Sequence, residues 1–401
     1  MQTTQTAHLI DKYKKNLDFL TVDRKNLDLT LQKLWQEKGN AFYVIDLERV
    51  KNQLALWRKC LPQSRPYYAV KCNPDPVIWE LLQQEKIGFD CASKGEIEQV
   101  QRWGVEAKDI IFANPCKHPQ QIDFAQKNSI HTYTFDCIEE LEKIHQIDKN
   151  ARLVLRLKTD DSNSLCRFST KFGAELSEIT LILEKAKMLN VNFIGTSFHV
   201  GSGCRDAESY QKALIDCKKV FDQAKKMGFK PYFLDIGGGF PGFKNEDAAF
   251  EKMAETIQNA LKTHFSEEEN LEIIGEPGRF LVAASHTLYV NITSKKAKFD
   301  SQKQEKNFVY YINEAVYASF NCLFFDHYQA KLLPFKKSEK QYLSTVFGQT
   351  CDSLDKIVEN IWLPELEIGD WFKVENFGAY TIAPASTFNG FDLPDKYYLK
   401  D

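Results

Sequence analysis

The chain has 401 residues, 43% hydrophobic and 27% charged, with a net charge of −3 at pH 7. That length leaves room for more than one domain, and that balance suits a soluble globular protein. It excludes a broad basic footprint for nucleic acid, and the longest apolar runs are strand-sized, too short to span a membrane. The ten cysteines are scattered singly with no Cys-x-x-Cys pair, and Met1–His8 shows no basic segment followed by an apolar one. Reduced thiols, no secretory signal, no structural zinc and a cytoplasmic location are therefore expected.

Along the chain, Ala41–Asp46 reads as a first strand. Eight short apolar runs follow: Tyr67–Val70, Gly88–Ala92, Ile110–Ala113, His131–Phe135, Leu153–Leu157, Ile194–His199, Phe233–Ile236 and Ile273–Glu276. Most are followed by stretches with helical spacing, such as Cys137–His145. Apolar strands alternating with amphipathic helices predict parallel strands covered by helices, and eight of them predict a closed (β/α)8 barrel. A doubly wound sheet would use similar units. Polar and glycine residues gather at the strand ends, however, and a barrel would bring all those ends to one mouth. Thr159–Cys166, polar and aperiodic, reads as a loop at that mouth. After about residue 285, Thr287–Thr293, Phe308–Ile312 and Trp371–Glu375 have strand composition, with the charged stretch Lys295–Lys306 as a solvated hairpin tip. The predicted organisation is a barrel over 47–284 and a modified β-sandwich or Greek-key domain made from 1–46 and 285–401.

Four features carry chemistry. Lys71 closes the first barrel run, Gly237-Gly238-Gly239 follows the seventh, and Glu276 and Arg279 follow the eighth. An amine can bond to an aldehyde, and a glycine run and an arginine can hold a phosphate. A buried carboxylate can keep a ring nitrogen protonated. Together these requirements describe a pyridoxal-phosphate site, an electron sink for the Cα of an amino acid. Each feature alone has an ordinary reading: a solvated rim lysine, a tight turn, a surface ion pair. The glycine run fits neither the dinucleotide nor the P-loop spacing. His199, followed by Gly201-Ser202-Gly203, reads as a core histidine or as a flat ring beside a phosphate donor.

With those motifs assembled, the sequence resembles the eukaryotic-type ornithine decarboxylases, the barrel class of pyridoxal-phosphate decarboxylases. The stretches that carry the resemblance include Tyr68-Ala-Val-Lys71-Cys-Asn, Gly88–Lys94, Ala113–Lys117, Ser197–Cys204, Leu234–Gly242, Glu276-Pro-Gly-Arg279, Ser319–Cys322, Phe325–His327, Thr350–Asp352 and Ser386–Phe391. The resemblance implies decarboxylation of L-ornithine to putrescine by a head-to-tail homodimer with shared sites. Relatives acting on lysine, arginine or diaminopimelate, or a silent regulatory homologue, are the alternatives, and it says nothing of an inhibitory protein partner. It implies that Lys71 is the Schiff-base lysine, that His199 stacks on the cofactor ring, and that Glu276 partners the pyridine nitrogen. Ser202, Gly237, Gly238, Gly239, Arg279 and Tyr380 match phosphate-binding positions, and Asp90 and Arg156 match pocket residues. Cys351 matches the group that protonates the carbanion, and Asp326 and Asp352 match the carboxylates for the substrate's terminal amine. Lys171 and Asp355 match a salt bridge between subunits. Gln349 stands where proline is frequent, and Phe325 where tyrosine is. The chain ends at Asp401 without the C-terminal turnover tail of animal members.

Overall fold

The computed structural model describes residues 39–162, 164–300 and 305–400, with scattered positions between 21 and 34. The N-terminal stretch Met1–His8 lies outside the described residues. The chain divides into two compact units, Asn52–Leu281, and Met1–Lys51 with Val282–Asp401.

In chain order, β1 (Thr21–Asp23), β2 (Phe42–Asp46) and α1 (Leu47–Cys60) come first. Then follow β3 (Ser64–Ala69), α2 (Pro76–Gln84), β4 (Gly88–Cys91), α3 (Lys94–Arg102), β5 (Ile110–Phe112), α4 (Pro119–Lys127), β6 (Thr132–Phe135) and α5 (Ile138–Ile147). The series continues with β7 (Arg152–Leu157), α6 (Ile179–Met188), β8 (Asn192–Phe198), α7 (Ala207–Lys226), β9 (Phe233–Asp235), α8 (Asp247–His264) and β10 (Glu272–Gly275). Strands β3 to β10 are all parallel, and β10 pairs back with β3, so the sheet closes into a barrel. Its buried filling includes Tyr67, Ile111, Val154, Ile194, Phe233 and Ile274. Local chemistry starts the helices just past the strand ends. Asp75 accepts from the N–H of Val77 ahead of Pro76, Ser93 from Glu96, and Asp206 from Glu208, each satisfying an orphan donor of a first turn.

All eight expected runs are barrel strands, with shifted ends. β3 stops at Ala69, so Lys71 lies on the 3-10 turn Val70–Cys72 that follows it rather than on the strand. β8 ends at Phe198, which puts His199 one residue beyond.

The other unit holds one mixed nine-stranded sheet. After β11 (His286–Asp300), β12 (Glu305–Ile312) and β13 (Leu333–Pro334) come β14 (Gln341–Phe347), β15 (Lys356–Pro364), β16 (Trp371–Val374) and β17 (Asp395–Lys400). The order is β1-β17-β2-β11-β12-β14-β15, with β16 pairing β11 and β13. Phe42, Val44, Tyr289, Trp371 and Tyr397 form its buried cluster with Leu31 and Leu34, and Phe42 stacks on Tyr289 at 5.1 Å. The charged stretch Lys295–Lys306 is not merely a tip. Lys295–Asp300 continues the ladder against Glu305–Tyr310, and only 301–304 lie outside the described residues. Strand charge is tolerated there because it is paired: Lys295 reaches Glu365 at 3.1 Å and Glu367 at 2.9 Å.

Candidate active site

Within the barrel unit, the C-terminal strand ends bring titratable groups together. The Lys71 amine donates to Asp90 on β4. Asp90 is 1% exposed, whereas the Lys71 side chain is 38% exposed, so the amine is anchored yet reachable by a ligand. Asp235, the last residue of β9, and Glu276, just beyond β10, are both buried and hydrogen-bond to each other through their carboxyls. Two carboxyls can bond in this way only if one carries a proton. Burial first, then the neighbouring Asp235, pushes Glu276 well above the carboxylate range. Burial likewise raises Asp235 to about 7. Arg156, on β7, is a second cation beside Lys71, in the field of Glu276, Asp136, Asp235 and Asp90.

The glycine turn is shaped by close approach. Gly237 has φ +65°, and a Cβ on it would lie 2.0 Å from the carbonyl oxygen of Phe198. A Cβ on Gly239 (φ +101°) would lie 2.3 Å from Gly201 O. Only glycine allows these chain segments to meet, leaving backbone rather than side chain facing a ligand. Asp235 accepts the N–H of Gly237 at 2.8 Å, and Glu276 N–H donates to Gly237 O at 2.7 Å. The Tyr210 hydroxyl donates to Gly238 O at 2.8 Å. Phe240 is a buried peg between Trp57 and Tyr210, with ring distances of 4.9 and 5.0 Å.

Beside the turn, buried Arg279 donates to Ser202 Oγ at 2.9 Å, so two hydrogen-bonding groups sit where an anion would be held. His199 accepts the N–H of Gly201 on Nδ1 at 2.9 Å. Burial, with Arg156 and Lys71 nearby, holds its pKa well below the usual histidine range. A neutral ring whose Nδ1 accepts carries its proton on Nε2. The described residues of Thr159–Cys166 are fastened to this segment, with Thr159 donating to His199 O at 2.7 Å and Ser164 to Val200 O at 2.5 Å, and just beyond them Phe168 meets the His199 ring edge-on at 4.9 Å.

The remaining candidates lie in the β-rich unit. Cys351 and Asp352 are adjacent in the turn after β14. Asp352 accepts from the Leu354 N–H at 2.9 Å and from the Tyr317 hydroxyl, contacts that hold it below the usual aspartate range. Asp355 is buried, and its carboxylate accepts from Val316 N–H, Thr350 N–H and Thr350 Oγ at 2.7–2.9 Å. It therefore fastens the turn after β14 to Val316. Asp326 is buried at the end of the short helix Cys322–Phe325, and Tyr380 has φ +56°, an uncommon conformation for an aromatic residue.

The structure thus brings together Lys71 with Asp90, Arg279 with Ser202, and Glu276 with the glycine turn, and separately Cys351 with Asp352. Sequence reasoning missed Asp235 and Tyr210. Asp235 was visible as a charge inside the apolar run Leu234-Asp-Ile236. Tyr210 carried no signal, since its hydroxyl partner is 28 residues away.

An anchored reachable amine, a backbone-lined turn with Arg279 and Ser202, and a carboxyl that retains a proton fit pyridoxal phosphate, whose aldehyde, phosphate and ring nitrogen need those three partners. Residues 47–283 match the family model described as pyridoxal-dependent decarboxylase, pyridoxal binding domain. The chain is 47% identical over 371 residues to ornithine decarboxylase of Mus musculus, covering 90% of this chain and 80% of the relative. It is also 47% identical to antizyme inhibitor 2 of Xenopus laevis, covering 90% and 81%. The crystal structure of the arginine decarboxylase from Paramecium bursaria Chlorella virus superposes with a TM-score of 0.87 at 35% identity, covering 93% of this chain and 99% of that one. Barrel, site and similarity agree: the chain belongs to the pyridoxal-dependent decarboxylases, whose cofactor is pyridoxal 5′-phosphate.

Proposed function

We propose that this protein decarboxylates L-ornithine to putrescine and CO2, as a cytoplasmic homodimer in which each site draws residues from both subunits. The observation that carries the reading is the barrel-mouth cluster of Lys71–Asp90, Asp235–Glu276 and Arg279–Ser202. Identity to a curated ornithine decarboxylase supports the choice of substrate. Ten free cysteines suit a reducing compartment. Among the described residues, no helix is long and apolar enough to cross a membrane.

When bound, the cofactor supplies an electron sink for the pair that CO2 leaves at Cα. The side chains do the rest. Lys71, positioned by Asp90, would hold the cofactor through its aldehyde. Arg279, Ser202 and the backbone of Gly237, Gly238 and Gly239 would hold its phosphate, with Tyr380 a further donor. Glu276, beside Asp235, would hold a proton at the ring nitrogen, with Arg156 in the field of both carboxyls and of Asp90. His199 would offer the ring an uncharged neighbour. Asp352 stays ionised and, with Asp326, takes the substrate's terminal ammonium. Cys351 returns the proton to Cα: its S–H bond breaks as the C–H bond forms, and solvent restores the thiol. Cys351 is exposed in the single chain and neighbours the exposed Leu354 and Phe388, which suits a surface that a second copy covers.

Purified holoprotein should be assayed against ornithine, lysine, arginine and diaminopimelate. The highest kcat/KM is expected for ornithine, although one methylene separates ornithine from lysine by only about 1–3 kcal/mol. A preference for another substrate would overturn the assignment. The equal identity to an antizyme inhibitor favours one second reading, a silent regulatory homologue. Bound cofactor with no CO2 release from any of the four would establish it.

A further inference from the structure

The surroundings of Cys351 hold a second functional residue, on the reading that Cys351 is the proton donor. Asn389 lies 38 residues further on, in the 3-10 turn Phe388–Gly390, and its Oδ1 accepts two bonds from Cys351: the backbone N–H at 3.3 Å and the thiol at 3.2 Å. Asn389 is in the left-handed region (φ +57°, ψ 12°), and Gly390 follows at φ +78°. Glycine would meet that backbone requirement at position 389 with less strain, but would offer no acceptor. The turn is fastened in place. Phe388 stacks on Tyr317 with centroids 4.2 Å apart, and Ser386 donates to Tyr317 O through N–H (2.9 Å) and Oγ (3.0 Å). The hydroxyl of the same Tyr317 donates to Asp352. Thiol, turn and substrate carboxylate therefore form one connected assembly inside the β-rich unit.

We propose that Asn389 is a positioning residue for the returning proton: its amide oxygen, by accepting the S–H of Cys351, fixes where that proton points. One acceptor at 3.2 Å aligns the S–H bond, so the proton is presented in a single direction when Cα competes for it. Loss of CO2 leaves an electron pair, the sulfur proton joins Cα, and the product amine departs. If the proton is supplied to the cofactor's carbon instead, water hydrolyses the C=N bond on the substrate side. An amino aldehyde then leaves, and the cofactor remains in its amine form.

Asn389→Gly retains the backbone and deletes the acceptor, while Asn389→Asp retains an oxygen acceptor and adds negative charge. Both holoproteins should be run through single turnovers of ornithine, counting putrescine against aldehyde. In Asn389→Gly the aldehyde fraction should rise about tenfold, the effect of losing one hydrogen bond of ordinary strength. Asn389→Asp, which keeps an oxygen acceptor, should bring the product ratio back towards wild type. An unchanged ratio in Asn389→Gly, or no return towards wild type in Asn389→Asp, would overturn the proposal. Cys351→Ala separates the two readings. If it yields only putrescine, the cysteine is not the donor; if it yields aldehyde while Asn389→Gly does not, only the role of Asn389 falls.

Discussion

Replacing Gly237 by alanine tests the turn on which the proposed phosphate cradle depends. At φ +65° any L-residue other than glycine is strained, at a cost of about 1–2 kcal/mol. The added Cβ would also sit 2.0 Å from Phe198 O and 3.1 Å from His199 Cα, so the end of β8 or the turn itself must shift. Overpacking of that kind costs about 1–3 kcal/mol, for a total of about 2–5 kcal/mol. Gly228 provides the control. It has φ +95°, and a Cβ there would meet nothing within 4 Å, so Gly228→Ala carries the conformational cost alone. The two variants should therefore differ in stability by about 1–3 kcal/mol. The displaced backbone also carries His199, so the affinity for pyridoxal phosphate should fall by about tenfold or more in Gly237→Ala and stay near wild type in Gly228→Ala. Urea unfolding of the cofactor-free proteins measures the first difference, and absorbance titration with pyridoxal phosphate the second. Equal stability and equal affinity in the two variants would refute the close-packed turn.

Lys71→Ala should remove the visible absorption of the bound cofactor and nearly all turnover, and a wild-type spectrum would exclude this lysine as the attachment point. Burial raises Asp235 from 3.8 to about 7, so between those values the folded chain binds more protons than the unfolded one. Stability from this group is then full below pH 3.8 and lost as pH rises towards 7; Asp235→Asn should flatten that slope in urea unfolding of the cofactor-free protein, and an unchanged slope would count against the shared proton. Glu276→Gln should still bind cofactor but release CO2 far more slowly in single turnovers, since an amide has no proton equilibrium to share with the ring nitrogen. Mixing Lys71→Ala with Cys351→Ala under subunit exchange should restore about a quarter of wild-type activity, because half the dimers are mixed and each has one intact site. No recovery from verified mixed dimers would place each site within one chain.

Much of the barrel was legible because its signal is local. Buried parallel strands are continuous apolar runs, and their helices carry three- and four-residue spacing, so all eight strands could be read from neighbours in sequence. Lys71, the glycine run, Glu276 and Arg279 stood out because each is a chemically costly residue at the end of such a run. The second sheet was less legible. β15 mixes the exposed charges of Lys356 and Glu359 with apolar residues, and β17 runs parallel to β2 across some 350 positions, a pairing no local pattern announces. The strand in Lys295–Asp300 was hidden by its own charges, whose partners Glu365 and Glu367 lie about 70 residues on. The same reason holds within the sites. Asp235 matters because β9 and β10 are adjacent in the closed barrel, and Asn389 because a fold of the β-rich unit returns its amide to Cys351. Which residue types the chemistry requires is a local property of the chain, readable in one dimension. Which carboxyl shares a proton with which, and which amide meets which thiol, depends on distances between strand ends that exist only once the backbone has closed on itself.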